Sequence, residues 1–203
     1  MSVKHTKWIY LFLAAAVAVG CHQVSAQQFG LTMGETVTQI RARGVSLKPQ
    51  SGSTFSTSSL PSGNKLFDDY RLLIAPKSGL CKIVAWISEI VDTPYGDSTK
   101  NKYSALYSAL TAKYGNSKSF DFLRADSIWT GSREWMMSLY KEERILSAFW
   151  DAEEGSRLPK NIQSISLVAH GSSSSTAMIS VSYEFNNLDS CRAEKDAIDR
   201  QNL

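Results

Sequence analysis

The residues that could most readily do chemistry are a histidine and four serines in the stretch 169–175 (AHGSSSS). A serine hydrolase needs a histidine base within hydrogen-bond reach of its nucleophile, with an acid behind the histidine. His170 is the only histidine after residue 26, but no Gly-x-Ser-x-Gly elbow surrounds any of the serines. Because Gly and Ser between two alternating strands are typical of a turn, we interpret the stretch as a hairpin loop. His170 remains the one catalytic candidate.

Acidic residues give little support for a metal or an acid–base site. The stretch 151–155 (DAEEG) holds three carboxylates, but it lacks the spaced ligands of a calcium loop. Asp68–Asp69 and Glu142–Glu143 are adjacent pairs, and adjacent residues of a strand face opposite sides. The sequence has no phosphate-binding glycine loop, dinucleotide fingerprint or nucleic-acid-binding signature. We expect no metal, no cofactor and no nucleic-acid partner.

Tryptophans are the second candidate set, because tryptophan is enriched at binding hot spots. Trp86, Trp129, Trp135 and Trp150 all follow residue 26. Trp86 is the best surface candidate, since strand alternation places it opposite the face that carries Cys81. We take Trp86, Trp135 and Trp150 as a candidate binding surface, and a place in the core between sheet and helices is the alternative.

Residues 1–26 have the pattern of an export signal, with two lysines ahead of an apolar run over 8–20. A membrane-spanning helix needs about 20 apolar residues, so the shorter run favours a signal peptide. Val24 and Ala26 supply the side chains that cleavage after Ala26 requires. We therefore predict a periplasmic or secreted protein with no transmembrane segment after cleavage. Lipidation at Cys21, which would anchor the protein, is the alternative.

Cleavage after Ala26 leaves Cys81 and Cys191, an even pair in an oxidising compartment. We predict a disulfide between them, with two separate buried thiols as the alternative. The bridge would close a loop of 110 residues, which the chain-entropy treatment credits with about 4–5 kcal/mol.

Residues 27–203 are long enough for a single domain with a core, and the 43% apolar content argues for a folded chain. Residues 1–26 hold two lysines and no acidic residue, so the formal charge of residues 27–203 is +1, which gives no electrostatic case for nucleic acid or anionic membrane. The segment 46–65 is rich in Ser, Gly and Pro, and we expect a flexible loop with an edge strand near 54–58.

Periodicity predicts three helices: a short one within 27–44, an amphipathic one within 96–115 and a polar one from about Ser190. Alternation and turn residues predict strands at 67–75, 80–90, 133–140, 144–151, 162–169 and 176–185. Helices do not alternate one for one with strands. This order favours an α+β fold, in which a mostly antiparallel sheet packs with a short N-terminal helix, one central amphipathic helix and a short C-terminal helix.

Four short motifs resemble those of small uncharacterised exported bacterial (periplasmic) proteins. They are FGLTMG at 29–34, GLCKIVAWI at 79–87, KYG at 113–115 and YEFNN at 183–187. The Phe-Gly-x-x-x-Gly opening is also similar to envelope lipoprotein and lactamase-inhibitor-like modules. The resemblance implies a small exported domain and brings no catalytic residues with it.

These observations favour a non-enzymatic periplasmic binding or envelope-interaction module, monomeric, with an unknown protein or envelope ligand. One alternative is an inhibitor of a secreted enzyme that presents the hairpin loop at 170–175. The other is a hydrolase that uses His170 and a nearby serine.

Overall fold

Alternating apolar and polar residues build an antiparallel sheet, which is the frame of the molecule. The computed structural model describes residues 27–201, so the predicted signal peptide, cleavage after Ala26 and the anchor at Cys21 lie outside the described residues. The strands are β1 (Lys48–Pro49), β2 (Thr54–Thr57), β3 (Asp69–Ala75), β4 (Gly79–Val91), β5 (Lys118–Leu123), β6 (Arg144–Asp151), β7 (Ile162–Gly171) and β8 (Thr176–Phe185). Neighbouring strands are all antiparallel, in the order β1-β2-β3-β4-β8-β7-β6-β5.

Within the same residues, the α-helices are α1 (Val37–Ala42), α2 (Asp97–Tyr114), α3 (Trp135–Tyr140) and α4 (Leu188–Gln201). The predicted α+β class with a mostly antiparallel sheet is therefore confirmed. A capping box between Thr36 and Gln39 begins α1. Across 27–201, no helix combines the length and apolarity that crossing a membrane requires.

The main core lies between α2 and one face of the sheet, which we call the first face. The apolar stripe of α2 is buried there through Tyr103, Leu106, Leu110 and Tyr114. Alternate residues of the central strands meet this stripe from the sheet; they include Ile83, Ala85, Ile165, Leu167, Ile179, Val181 and Tyr183. The predicted packing of a central amphipathic helix against the sheet is thus confirmed.

The predicted strand at 133–140 is wrong. This segment forms a short 3-10 turn at Ser132–Glu134 and then α3. Trp135, Met136 and Leu139 are buried, and their spacing is that of one face of a helix rather than of a strand. Residues 141–143 therefore connect a helix to a strand rather than two strands of a hairpin.

The segment predicted as a flexible loop, 46–65, contains β1 and β2. The strand expected near 54–58 is present as β2, but it pairs with β3 on one side and with β1 on the other. Ser53, Ser56 and Thr57 are buried, so much of the segment belongs to the packed structure.

Helix α4 is held to the sheet through the predicted pair Cys81 and Cys191, whose Cα atoms are 6.5 Å apart at disulfide-bonding distance. Strand alternation predicts that Cys81 shares the first face with Ile83. In the structure Cys81 does not lie on that face. Leu73 pairs with Lys82 but Ile74 pairs with Leu80, so Cys81 is the extra residue of a β-bulge. A separate buried cluster results; it comprises Ala75, Cys81, Leu188 and Cys191.

Glu194 reinforces this junction from α4. Its carboxylate accepts hydrogen bonds from the backbone N–H groups of Lys77 (2.9 Å) and Ser78 (2.8 Å) and from the Ser78 hydroxyl. These contacts lower the pKa of the Glu194 carboxyl and fix the β3–β4 turn against the helix.

Replacing both cysteines by serine (C81S/C191S) tests the disulfide without leaving a free thiol. We expect the free energy of unfolding to fall by about 2–4 kcal/mol, because the unfolded chain regains the entropy of a long open loop. Urea denaturation of the oxidised and variant proteins measures the difference. Thiol titration of the unreduced, denatured wild type is the control, and two free thiols would contradict the pairing.

Candidate functional site

The second face of the sheet, opposite α2, carries hydroxyl and aromatic side chains in register. One row crosses the strands as Trp86, Ser180, Val168, Ser147 and Phe120. The next row runs as Val84, Ser182, Ser166, Phe149 and Lys118. Large apolar side chains therefore stand on β4 at one side and on β5 and β6 at the other, with serines and Val168 between them.

We call the floor of small side chains the serine trough; it comprises Ser147, Ser166, Ser180 and Ser182. Ser147, Ser180 and Ser182 are buried although they lie on the face that α2 does not cover. Because these side chains are short, their larger neighbours on the same face cover them from solvent. Neighbouring strands lie about 4.8 Å apart, so the trough is about 14 Å wide from Val84 to Phe149. Lys82 and Glu184, paired at 2.8 Å, close its lower end.

His170 lies at the upper end of the trough, on the second face of β7. Its Nε2 is 3.1 Å from the Ser180 hydroxyl oxygen, and its ring lies 5.3 Å from the Trp86 ring between centroids. Burial of the imidazole lowers the pKa of His170 below its usual range, and the negative charge of Glu142 opposes that effect only in part. The imidazole is therefore neutral at pH 7, with one nitrogen to donate and one to accept.

Beside His170, strands β6 and β7 separate and form what we call the β6–β7 cleft. Their pairing ends at Ser147 and Val168, although both strands continue beyond these residues. The cleft has a volume of about 300 Å³; its walls include Leu139, Ile145, Leu146, Phe149, Val168 and His170.

Helix α3 keeps the two strands apart. A side-chain carbon at Gly171 would lie 2.4 Å from the backbone of Tyr140, so only glycine permits the end of α3 to contact β7 this closely. Glu142 then turns the chain into β6 with φ of 56°, a left-handed conformation that costs energy outside glycine. This turn brings the Glu142 carboxylate to the cleft.

Two arginines border the cleft and differ in their partners. Arg144 donates to the Asp121 carboxylate at 2.8 Å and lies 5.7 Å from the centre of the Trp135 ring. Arg124 is exposed, and within residues 27–201 its side chain forms no ion pair or hydrogen bond. Arg124 is thus the cation available to a ligand in the cleft.

The structure does not bring His170 to the serines that follow it in sequence. Residues 172–175 form a tight hairpin loop, in which the Ser172 and Ser173 N–H groups donate to the Thr176 carbonyl. The serine that meets His170 is Ser180 instead, one strand away. In the described part of the chain no carboxylate hydrogen-bonds to the imidazole, so a Ser–His–acid triad is not formed.

The three tryptophans predicted to form a binding surface do not lie together. Trp86 is half-buried on the second face, beside His170. Trp150 is 0% exposed and donates from Nε1 to the Gly115 carbonyl at 3.2 Å. Trp135 is 6% exposed, and its ring packs directly on the Gly96 backbone. Trp135 and Trp150 therefore lie in the core, the alternative that the sequence left open.

Sequence reasoning missed the serine trough. Ser164 and Ser166 alternate along β7, and Ser180 and Ser182 along β8, so a period of two was visible in each strand. This alternation alone does not show that the serines of the two strands lie together. That follows only from the pairing of β8 with both β4 and β7, which also places the serines next to Trp86.

His170 gives a pH-dependent signal that tests the site. In protein beginning at Gln27 it is the only histidine, so NMR should show one titrating imidazole with a midpoint below about 6.5, the value of an exposed histidine. Because the unfolded chain then binds the proton more tightly, stability should be highest above pH 6.5. It should fall as the pH drops toward the folded-state pKa and then level off. A midpoint at or above 6.5 would contradict the buried environment, and His170→Gln should remove this part of the pH dependence.

Comparison with known proteins found no matching protein-family model, no similar curated protein and no similar solved structure. The resemblance to exported bacterial proteins and lactamase-inhibitor-like modules therefore stays a prediction.

Proposed function

We propose that this protein is an exported, non-enzymatic binding module of the bacterial envelope, and that its ligand lies in the serine trough and the adjoining β6–β7 cleft. One observation carries the proposal: a floor of serine side chains lies between Trp86 and Phe149 on the second face, next to the β6–β7 cleft. Binding sites are concave and largely apolar, with a few polar groups that orient the ligand. Export is supported by the signal-like pattern of residues 1–26 and by the buried cysteine pair.

The chemistry of the trough favours an extended polar ligand such as a glycan strand or a peptide. Serine hydroxyls both donate and accept hydrogen bonds, and the walls at Trp86 and Phe149 offer flat apolar surfaces. Arg124 supplies a cation for an acidic group at the cleft. The neutral imidazole of His170 adds one further adaptable hydrogen-bonding group.

The hydrolase alternative has one supporting contact, between His170 and Ser180, and several features against it. Ser180 is 6% exposed and sits in the middle of β8, paired with Trp86 and Val168. A nucleophile in a strand interior lacks nearby free N–H groups for an oxyanion, because the ladder uses them. Turnover of ester, peptide or glycan substrates that disappears in His170→Ala would revive this alternative.

The inhibitor alternative is supported by the hydrogen bonds that hold the hairpin loop at 172–175 in one conformation. The Ser173 hydroxyl lies 2.7 Å from that of Thr176 and accepts from the Ser175 N–H at 3.1 Å. The Ser175 carbonyl in turn accepts from the Asp92 N–H at 2.9 Å. A loop held in this way loses little entropy on binding. His170 and Gly171 belong to β7, so the presented loop would be 172–175.

Filling the trough tests the proposed binding site. Ser166→Tyr places a ring on the floor between Ser182 and Phe149 without touching the first face. We expect retention on purified peptidoglycan sacculi or on immobilised envelope-protein extract to fall by about tenfold or more, a loss of about 1.4 kcal/mol. Trp86→Ala should weaken the same binding, because it removes one wall.

Ser104→Tyr is the matched control, since Ser104 is exposed on α2, on the other side of the sheet. This variant should be retained as well as the wild type. Wild-type protein that neither matrix retains, or equal retention of S166Y and wild type, would contradict the proposal.

A further inference from the structure

The two edges of the sheet differ in how well they are protected. At one edge, β1 has only two residues and ends in Pro49, and short strands and proline are common protections against edge pairing. At the other edge, β5 has six residues without proline. All of its side chains are exposed or half-exposed, and Phe122 is 46% exposed. β5 is therefore the open edge of this sheet.

Alternation along β5 defines which backbone groups face outward. Arg124 N–H donates to the Glu143 carbonyl at 2.8 Å, and hydrogen-bonded positions alternate along an antiparallel pair. Phe122, Phe120 and Lys118 therefore direct their backbone groups to β6. Ser119, Asp121 and Leu123 direct theirs to the free edge, where another strand could meet them.

The side chains of β5 are self-complementary in one antiparallel register. In Lys-Ser-Phe-Asp-Phe (118–122), a two-fold axis through Phe120 places Ser119 opposite Asp121 and Lys118 opposite Phe122 of a second copy. We propose that two copies of this protein pair through β5 in this register and extend the sheet across the two-fold axis. The pairing departs from the monomer that the sequence predicts.

Each pair in this register is favourable. Ser119 and Asp121 would exchange backbone hydrogen bonds, and the serine hydroxyl can donate to the carboxylate. Lys118 would lie against the Phe122 ring of the other copy, a cation–π contact. The two Phe120 rings would meet at the axis, as aromatic cross-strand pairs commonly do. A shift by two residues in one direction would place Asp121 opposite Asp121, and like charges directly opposite are destabilising. The opposite shift would place Ser119 opposite Ser119 and lose both the Ser119–Asp121 pair and the meeting of the two Phe120 rings.

The pairing also covers apolar surface. Phe120 lies 6.3 Å from Phe122 and 6.1 Å from Phe149 between ring centroids, and this cluster would continue into its symmetry mate. A single strand edge buries less than the roughly 800 Å² per partner of a stable complex. We therefore expect a reversible dimer that dissociates on dilution.

Sedimentation over a concentration range of about 10 µM to 1 mM tests the pairing on protein beginning at Gln27. Wild type should shift from monomer to dimer. Ser119→Pro should remain monomeric, because it removes an outward N–H while leaving the bonds to β6 intact. Ser119→Ala keeps that N–H and should dimerise. A wild type that is monomeric throughout, or S119P that dimerises like wild type, would overturn the proposal.

Cross-linking tests the register and does not depend on the proline variant folding. Phe120→Cys should form a disulfide-linked dimer under mild oxidation, because opposite residues at a non-hydrogen-bonded pair lie close together. Phe122→Cys, the matched control, should cross-link far less, since Lys118 lies opposite it. Equal cross-linking of both variants would overturn this register. Ser166→Tyr should dimerise like wild type, so failure of ligand binding and failure of pairing are distinguishable.

Discussion

β8 lies between β4 and β7 in the sheet, and both faces of the sheet are built on its pairing with these two strands. β4 lies far from β8 in sequence, and closing that loop costs entropy before any contact forms. The Cys81–Cys191 pair closes nearly the same loop, since Lys82 pairs with Glu184 next to it. The disulfide and the central pairing therefore stabilise the same closure, and the first face and the second face both depend on it.

Local patterns predicted most of the elements because each is encoded within a few residues. The alternation of Ile179, Val181 and Tyr183 and the stripe of α2 identify one buried face each. The segment 133–140 was harder, because its apolar residues fit a strand or one helical turn and only burial against β6 and β7 decides between them. β5 was missed altogether, since its exposed residues carry no burial signal.

The candidate site was predictable only in part, because residue types are visible in the sequence but the register between distant strands is not. His170 and Trp86 stood out by residue type, but Ser180 is ordinary in sequence and becomes notable 3.1 Å from His170. The bulge at Cys81 likewise shifts one residue against its neighbours, which no alternation count would detect. Residue types can suggest members of a site, whereas register between distant strands decides which of them meet.

The serines of the trough lower the stability of the sheet, and the fold itself does not require them. Middle positions of a large sheet usually stabilise it best when β-branched or aromatic residues fill them. Ser147, Ser180 and Ser182 occupy such positions and are buried, so each forgoes apolar contact with Trp86, Val84 or Val168. Local choices that lower stability without helping the fold are typical of functional surfaces. This supports a role for the second face in contacting something other than the core of its own chain, and it favours binding over a purely structural sheet.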